Sequence, residues 1–221
     1  MTPETREKLL GLINDKAYNP LKKEELALIF DIHSCEKPMF DNFLEELEND
    51  GYIVITKKGR VMAPGALGYF VGKFISHRRG FGFVESDEEF VQDLFINPED
   101  INGALNGDRV MAEITKPATE GRRAEGAIVK VIKRETDTII GLFQSNKNFG
   151  FVVPDDKKFN QDIYIPNKFF SGAKDNDKVV CKITMWPIEG RKPEGKIIEV
   201  IGQKGERGVE IDSIIRAHSL P

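Results

Sequence analysis

The run Arg79-Gly80-Phe81-Gly82-Phe83-Val84, followed eleven residues after Val84 by Phe95 within Leu94-Phe95-Ile96, spaces aromatic rings as a binding face would. In an extended strand alternate side chains share a face, so Phe81 and Phe83 project together, while Phe95 projects away from Leu94 and Ile96. With Val84, Leu94 and Ile96 turned inward, Phe81, Phe83 and Phe95 stand outside as a platform on which planar bases stack, and Phe74 on the preceding strand extends it. An isolated strand phenylalanine is ordinarily core. Here the pattern occurs twice, and a small barrel has no room for both sets of rings inside. Lys73, Arg78, Arg79, Arg122 and Arg123 surround the first platform, and a second set comprises Phe143, Lys147, Phe149, Phe151, Tyr164, Arg191 and Lys192. Stacking with local phosphate contact is the chemistry of single-stranded nucleic acid binding. His77 either stacks on a base or is an ordinary loop histidine, whereas Lys116 and Lys130 read as solvated surface charge.

The second set belongs to an internal repeat. Gly72-Lys73-Phe74 returns as Gly141-Leu142-Phe143, Asp93-Leu94-Phe95-Ile96 as Asp162-Ile163-Tyr164-Ile165, and Asp108-Arg109-Val110 as Asp177-Lys178-Val179, each 69 residues on. Phe81-Gly82-Phe83-Val84 returns after 68, because the first copy carries one extra loop residue. Each copy reads as five short strands, at about 69–76, 81–85, 92–97, 108–116 and 123–133 in the first, the pattern of an OB fold. Residues 1–67 follow a helical period instead, through Leu9, Leu10 and Ile13, then Leu26, Ala27, Ile29 and Phe30, then Phe40, Phe43, Leu44 and Leu47. A hairpin with the basic tip Lys57-Lys58-Gly59-Arg60 follows. The fold class expected is therefore α+β multidomain: an N-terminal winged-helix domain (1–67), then two tandem five-stranded OB-fold β-barrels (68–134 and 135–202). Residues 203–221 end on Leu220-Pro221 without a closing element, and read as a linker toward a domain outside the chain.

A net charge of −4 is unhelpful to a phosphate binder. Lys and Arg against Asp and Glu number nine to twelve in residues 1–67, ten to eleven in 68–134 and ten to ten in 135–202. No domain is basic overall, so a nucleic-acid site must be a local patch assisted by stacking, which favours single strands over duplex. The third helix, with Asp41, Glu45, Glu46 and Glu48, would repel a duplex backbone, so no specific duplex DNA is expected. Catalytic signals are lacking: His33, His77 and His218 stand apart, with no acid at metal-ligand spacing and no nucleophile elbow, and Glu88-Glu89 and Asp155-Asp156 read as solvated turns. Cys35 and Cys181 are expected to be reduced thiols. No apolar run approaches the roughly 20 residues of a membrane helix and Met1-Thr2-Pro3-Glu4 opens no signal peptide, so a cytoplasmic location is expected.

Arg79-Gly80-Phe81-Gly82-Phe83-Val84 and Asp93-Leu94-Phe95-Ile96 resemble the two ribonucleoprotein motifs of bacterial cold-shock domains, with Asn148 replacing the leading glycine in the second copy. The domain order, with the tail Gly208-Val209-Glu210-Ile211-Asp212 to Leu220-Pro221, resembles the N-terminal part of the bacterial ribonuclease R family. The resemblance implies a processive, hydrolytic 3′-to-5′ exoribonuclease in which the barrels guide single-stranded RNA toward a following catalytic domain. There an aspartate cluster holds Mg²⁺. For this chain it implies RNA binding with no catalytic centre and no cofactor. Two rival readings are an autonomous RNA chaperone, like free cold-shock proteins, and a winged-helix transcription regulator.

Overall fold

The computed structural model describes residues 1–86, 91–159, 161–187, 191–206 and 209. Glu88-Glu89 and most of the tail lie outside the described residues. Three helices come first: α1 (Pro3–Ile13), α2 (Lys23–Ile29) and α3 (Lys37–Asn49), with a short strand β1 (Leu21–Lys22) between the first two. Strands β2 (Val54–Ile55) and β3 (Arg60–Met62) form the expected hairpin, and β1 joins it in a sheet of order β1-β3-β2. Local chemistry sets the helix starts. The Thr2 hydroxyl accepts from the Thr5 amide at 3.2 Å ahead of Pro3, and the Glu25 carboxylate accepts from the Lys22 amide at 2.7 Å. The apolar stripes then meet, burying Leu9, Leu26, Phe40, Leu44, Leu47, Ile53 and Val61 in one core. Asp41, Glu45 and Glu46 of α3 face solvent, as do Lys57 and Lys58 at the hairpin tip.

Two closed five-stranded barrels follow. The first contains β4 (Tyr69–Ser76), β5 (Gly82–Ser86), β6 (Leu94–Ile96), β7 (Arg109–Lys116) and β8 (Glu125–Lys133) in spatial order β4-β5-β6-β8-β7. The second repeats this order with β9 (Thr138–Ser145), β10 (Phe149–Pro154), β11 (Ile163–Pro166), β12 (Asp177–Met185) and β13 (Glu194–Gln203). Closure is completed by parallel pairing of β6 with β8 and of β11 with β13. Phe74, Val84, Leu94, Ile96, Val110 and Ile128 fill the first barrel, and Phe143, Val152, Ile163, Ile165, Val179 and Ile197 the second, with alternation interrupted on β7 and β12, where register shifts accompany runs of consecutive buried residues.

Phe74 and Phe143 are thereby corrected. Both were expected on the platform, but they are 1% and 0% exposed and belong to the two cores. Register explains this, because Phe74 pairs across the hairpin with the inward Val84, and Phe143 with the inward Val152. The glycine between the two motif phenylalanines makes room for these inward rings. A Cβ on Gly82 would lie 2.3 Å from the Phe74 ring, and one on Gly150 would lie 2.3 Å from the Phe143 ring. Each barrel thus places its largest core side chain against a bare backbone.

The units touch one another. Gly51, at φ +76 after α3, is buried, and a Cβ there would lie 2.3 Å from Ile132 of the first barrel. Next to it the Tyr52 ring receives the guanidinium groups of Arg6 and Arg109 at 4.6 and 5.1 Å. Between the barrels, Arg134 donates to Asp108 at 2.7 Å and to the Gly103 carbonyl at 2.9 Å, and its guanidinium lies 4.1 Å from the centre of the Trp186 ring. Asp108 also accepts from the Leu105 and Glu135 amides. Burial pushes its carboxyl above the ordinary aspartate value, and the amides and Arg134 draw it only partly back. Asp108→Ala would leave both amides without an acceptor, an expected loss of about 1–3 kcal/mol. A thermal melt checks this, and the emission of Trp186, the chain's single tryptophan, reports whether the inter-barrel contact loosens.

Candidate nucleic-acid interface

Phe83 sits in a cross-strand row between Ile75 on β4 and Phe95 on β6, all facing away from the core. Phe81, just before β5, completes a triangle: ring centres are 5.8 Å apart for Phe81–Phe83, 5.5 Å for Phe81–Phe95 and 5.6 Å for Phe83–Phe95. The second barrel repeats it at 5.5 Å for Phe149–Phe151, 5.8 Å for Phe149–Tyr164 and 5.9 Å for Phe151–Tyr164. All six rings are partly exposed, sharing edges with one another while keeping area open to solvent. Such mutually braced aromatics hold their orientation before a ligand arrives, so little side-chain entropy is lost when a base stacks on them.

The two triads have the same cationic border. Arg123 lies 5.3 Å from the Phe83 ring centre and 3.7 Å from Asp93, and Lys192 lies 5.0 Å from the Phe151 ring centre and 3.5 Å from Asp162. Exposed ion pairs of this kind contribute about 0–1 kcal/mol, so a phosphate can displace the aspartate. Arg122 lines a shallow depression with Phe95 and Arg123, and Arg191 lines one with Phe151 and Lys192. Lys73 is exposed on the platform side of β4, one pleat beyond Ile75, where its cross-strand partner is Glu85.

The hairpin tips differ. In the first barrel His77 accepts at Nδ1 from the Arg79 amide at 3.2 Å, and its ring stacks on Phe81 at 4.3 Å, lengthening the aromatic run. Gly80 there has φ +93, which explains the glycine before Phe81. The second tip is one residue shorter, and Asn148 does not enter the left-handed region, so the missing glycine is accommodated. Arg79 and Lys147 are exposed at these tips. Sequence reasoning overlooked Ile75, Gln144 and Trp186. Gln144 occupies the position beside Phe151 that Ile75 occupies beside Phe83, and a strict reading of cross-strand register would have found both.

Among the described residues no group of three or more His, Cys, Asp or Glu is placed to hold a metal ion, and no helix is long and apolar enough to cross a membrane. Cys35 and Cys181 are both free; burial pushes the Cys181 thiol up to about 12, leaving it unreactive at neutral pH.

Comparison with known proteins fits this geometry. The family model described as the ribonuclease B OB domain matches residues 72–131, and the cold shock domain model matches residues 151–221. Ribonuclease R of Escherichia coli is 33% identical over 207 residues, which is 93% of this chain and 25% of the relative. Over most of its own length the chain is similar to the N-terminal part of ribonuclease R. The enzyme of that name from Thermotoga maritima is 32% identical over 92% of this chain and 28% of its own length, so the chain spans about a quarter of these ribonuclease R relatives. Among solved structures, the apo form of Mycoplasma genitalium RNase R superposes with a TM-score of 0.62 at 18% identity, over 68% of this chain and 24% of that one. Yeast Ssd1, a pseudonuclease, gives 0.58 at 21% identity, over 69% and 25%. At these identities the structural likeness bears on the fold alone.

Proposed function

We propose that this chain binds single-stranded RNA through its two aromatic triads and, within a longer ribonuclease R-type hydrolytic 3′-to-5′ exoribonuclease, guides the strand toward a catalytic domain outside these residues. The observation that carries this reading is the repetition of one stacking triangle, with its cationic border, on both barrels. Mycoplasma genitalium RNase R, a structural relative, has been solved with ribose-methylated single-stranded RNA, which supports the choice of ligand. Phe81, Phe83 and Phe95, with Phe149, Phe151 and Tyr164, take the bases. Lys73, Arg79, Arg122, Arg123, Lys147, Arg191 and Lys192 meet phosphates. Mg²⁺ belongs to the catalytic domain of the longer enzyme, where it would supply the hydrolytic chemistry. The acidic solvent face of α3 makes specific duplex DNA binding the weaker reading.

The test is a titration of the chain with matched single-stranded and double-stranded RNA at two salt concentrations. Single strands are expected to bind more tightly. Each neutralised phosphate on a single strand adds about −0.7 to the salt slope, so contacts from these seven cations give a slope no steeper than about −5. Equal affinity for duplex, or a steeper slope, would count against a stacking-dominated site. With Mg²⁺ added, the bound RNA is expected to remain intact; mononucleotide release that survives repurification would contradict the assignment of catalysis to another domain.

A further inference from the structure

The two barrels differ beside their otherwise matching triads. In the first, Lys116 and Glu125 are cross-strand partners, and the ammonium lies 2.7 Å from the carboxylate. In the second, Met185 and Trp186 stand where the first has Lys116 and Pro117, and the partner of Met185 is Glu194. Glu194 thus lacks the lysine that occupies its counterpart. Among the described residues its carboxylate makes no ion pair and no side-chain hydrogen bond. Glu194 also pairs in register with Tyr164 across the parallel β11–β13 contact, which sets it at the edge of the triad.

These substitutions change the lining of a depression of about 290 Å³, in which Trp186 joins Phe151 and Tyr164, with Met185 and Glu194 on the same wall and Arg191 and Lys192 at its border; its counterpart of about 300 Å³ on the first barrel has, among the described residues, Phe95, Arg122, Arg123 and Glu125 only. That volume is at the low end for small-ligand sites, suited to one planar ring system. The guanidinium of Arg134 over the indole holds Trp186 in place. We propose, resting on the reading of the triads as RNA-binding faces, that this depression receives a single base and prefers guanine, adenine or cytosine to uracil, with the Glu194 carboxylate as the discriminating acceptor.

The discrimination follows from donor and acceptor chemistry. An ionised carboxylate only accepts hydrogen bonds. Cytosine and adenine offer an exocyclic amino group, as cytosine does to acidic side chains in duplex readout, and guanine offers two adjacent N–H donors. Uracil presents one N–H between two carbonyl oxygens, which the carboxylate repels. The first barrel should discriminate less, because Lys116 competes with a base for Glu125.

Equilibrium binding of the full chain to single-stranded oligocytidylate and oligouridylate of equal length isolates the effect, since the two pyrimidines have rings of similar size. Wild-type protein is expected to favour cytidine about tenfold, the scale of one hydrogen bond to a charged acceptor. Glu194→Gln, whose amide both donates and accepts, should bring the ratio to within about twofold. Met185→Lys, which recreates the lysine of the first barrel, should do the same. Phe83→Ala should weaken binding to both oligonucleotides and leave the ratio unchanged. Equal binding of the two by wild type, or a ratio that survives Glu194→Gln, would overturn the pocket while leaving the RNA-binding reading intact. Failure to bind any single strand would overturn that reading and the pocket with it.

Discussion

Phe74→Ala is expected to destabilise the first barrel by about 3–5 kcal/mol and to leave the RNA affinity of the folded protein nearly unchanged. The ring is 1% exposed, lies against the bare backbone of Gly82 and shares its core with Val84, Leu94 and Ile128. Truncation removes its transfer free energy and leaves a cavity that the surrounding strands cannot fill. Collapse would need a side chain on Gly82, and Gly82→Ala in the wild-type background is itself expected to cost about 1–3 kcal/mol, because the new methyl also lies 2.8 Å from the Ile75 carbonyl oxygen. In a unit of this size, a loss of 3–5 kcal/mol lowers the melting temperature by more than about 10 °C. Phe143→Ala should act alike in the second barrel, where Gly150 supplies the bare backbone. A Phe74→Ala protein that melts like wild type but loses RNA binding would return Phe74 to the binding face.

Phe83→Ala is expected to do the opposite. Phe83 is at the centre of the first triangle, within 5.8 Å of Phe81 and 5.6 Å of Phe95 and beneath the Arg123 guanidinium, so its removal costs a stacking partner and loosens its neighbours. The expected loss is about 1–3 kcal/mol, roughly five- to hundredfold in affinity for single-stranded RNA, with a smaller effect on stability because the ring is only partly buried. Tyr164→Ala in the second barrel provides an additivity test. If both faces hold one strand, the two losses add in free energy on an RNA long enough to span them, since Phe83 and Tyr164 share no ring contact. On a short oligonucleotide that reaches one face at a time, each single variant keeps one intact face and should lose less than the double variant, in which both faces are weakened. Wild-type affinity in Phe83→Ala would remove the basis for calling this surface the RNA site.

Much of this architecture was legible in the amino-acid order. The 69-residue repeat, the period-2 alternation and the turn residues located all ten barrel strands closely, and the helical period located three helices, because these patterns depend on neighbours close in the chain. Alternation also separated Phe83 and Phe95 from Val84, Leu94 and Ile96, since parity within a strand is a local property. Parity cannot say which face of one strand continues a given face of the next. That depends on cross-strand register, and in the β4–β5 hairpin the register aligns Phe74 with Val84 and Lys73 with Glu85, so the first phenylalanine turns inward. The glycine at 82 contained a clue: between two outward rings it must face inward, and an inward glycine in a packed barrel implies a large partner. The contribution of Trp186 could not be read at all from local pattern. It sits in the chain 22 residues beyond Tyr164, and only barrel closure sets it beside Phe151 and Tyr164, while the approach of the first barrel brings Arg134 over its ring. The sequence by itself determined the repeated units, their strands and the aromatic triads, all consequences of short-range periodicity. The tertiary structure decided which phenylalanines are core, which glutamate lacks a cation and how the barrels meet, because each of these depends on backbone segments far apart in the chain converging to within a few ångströms.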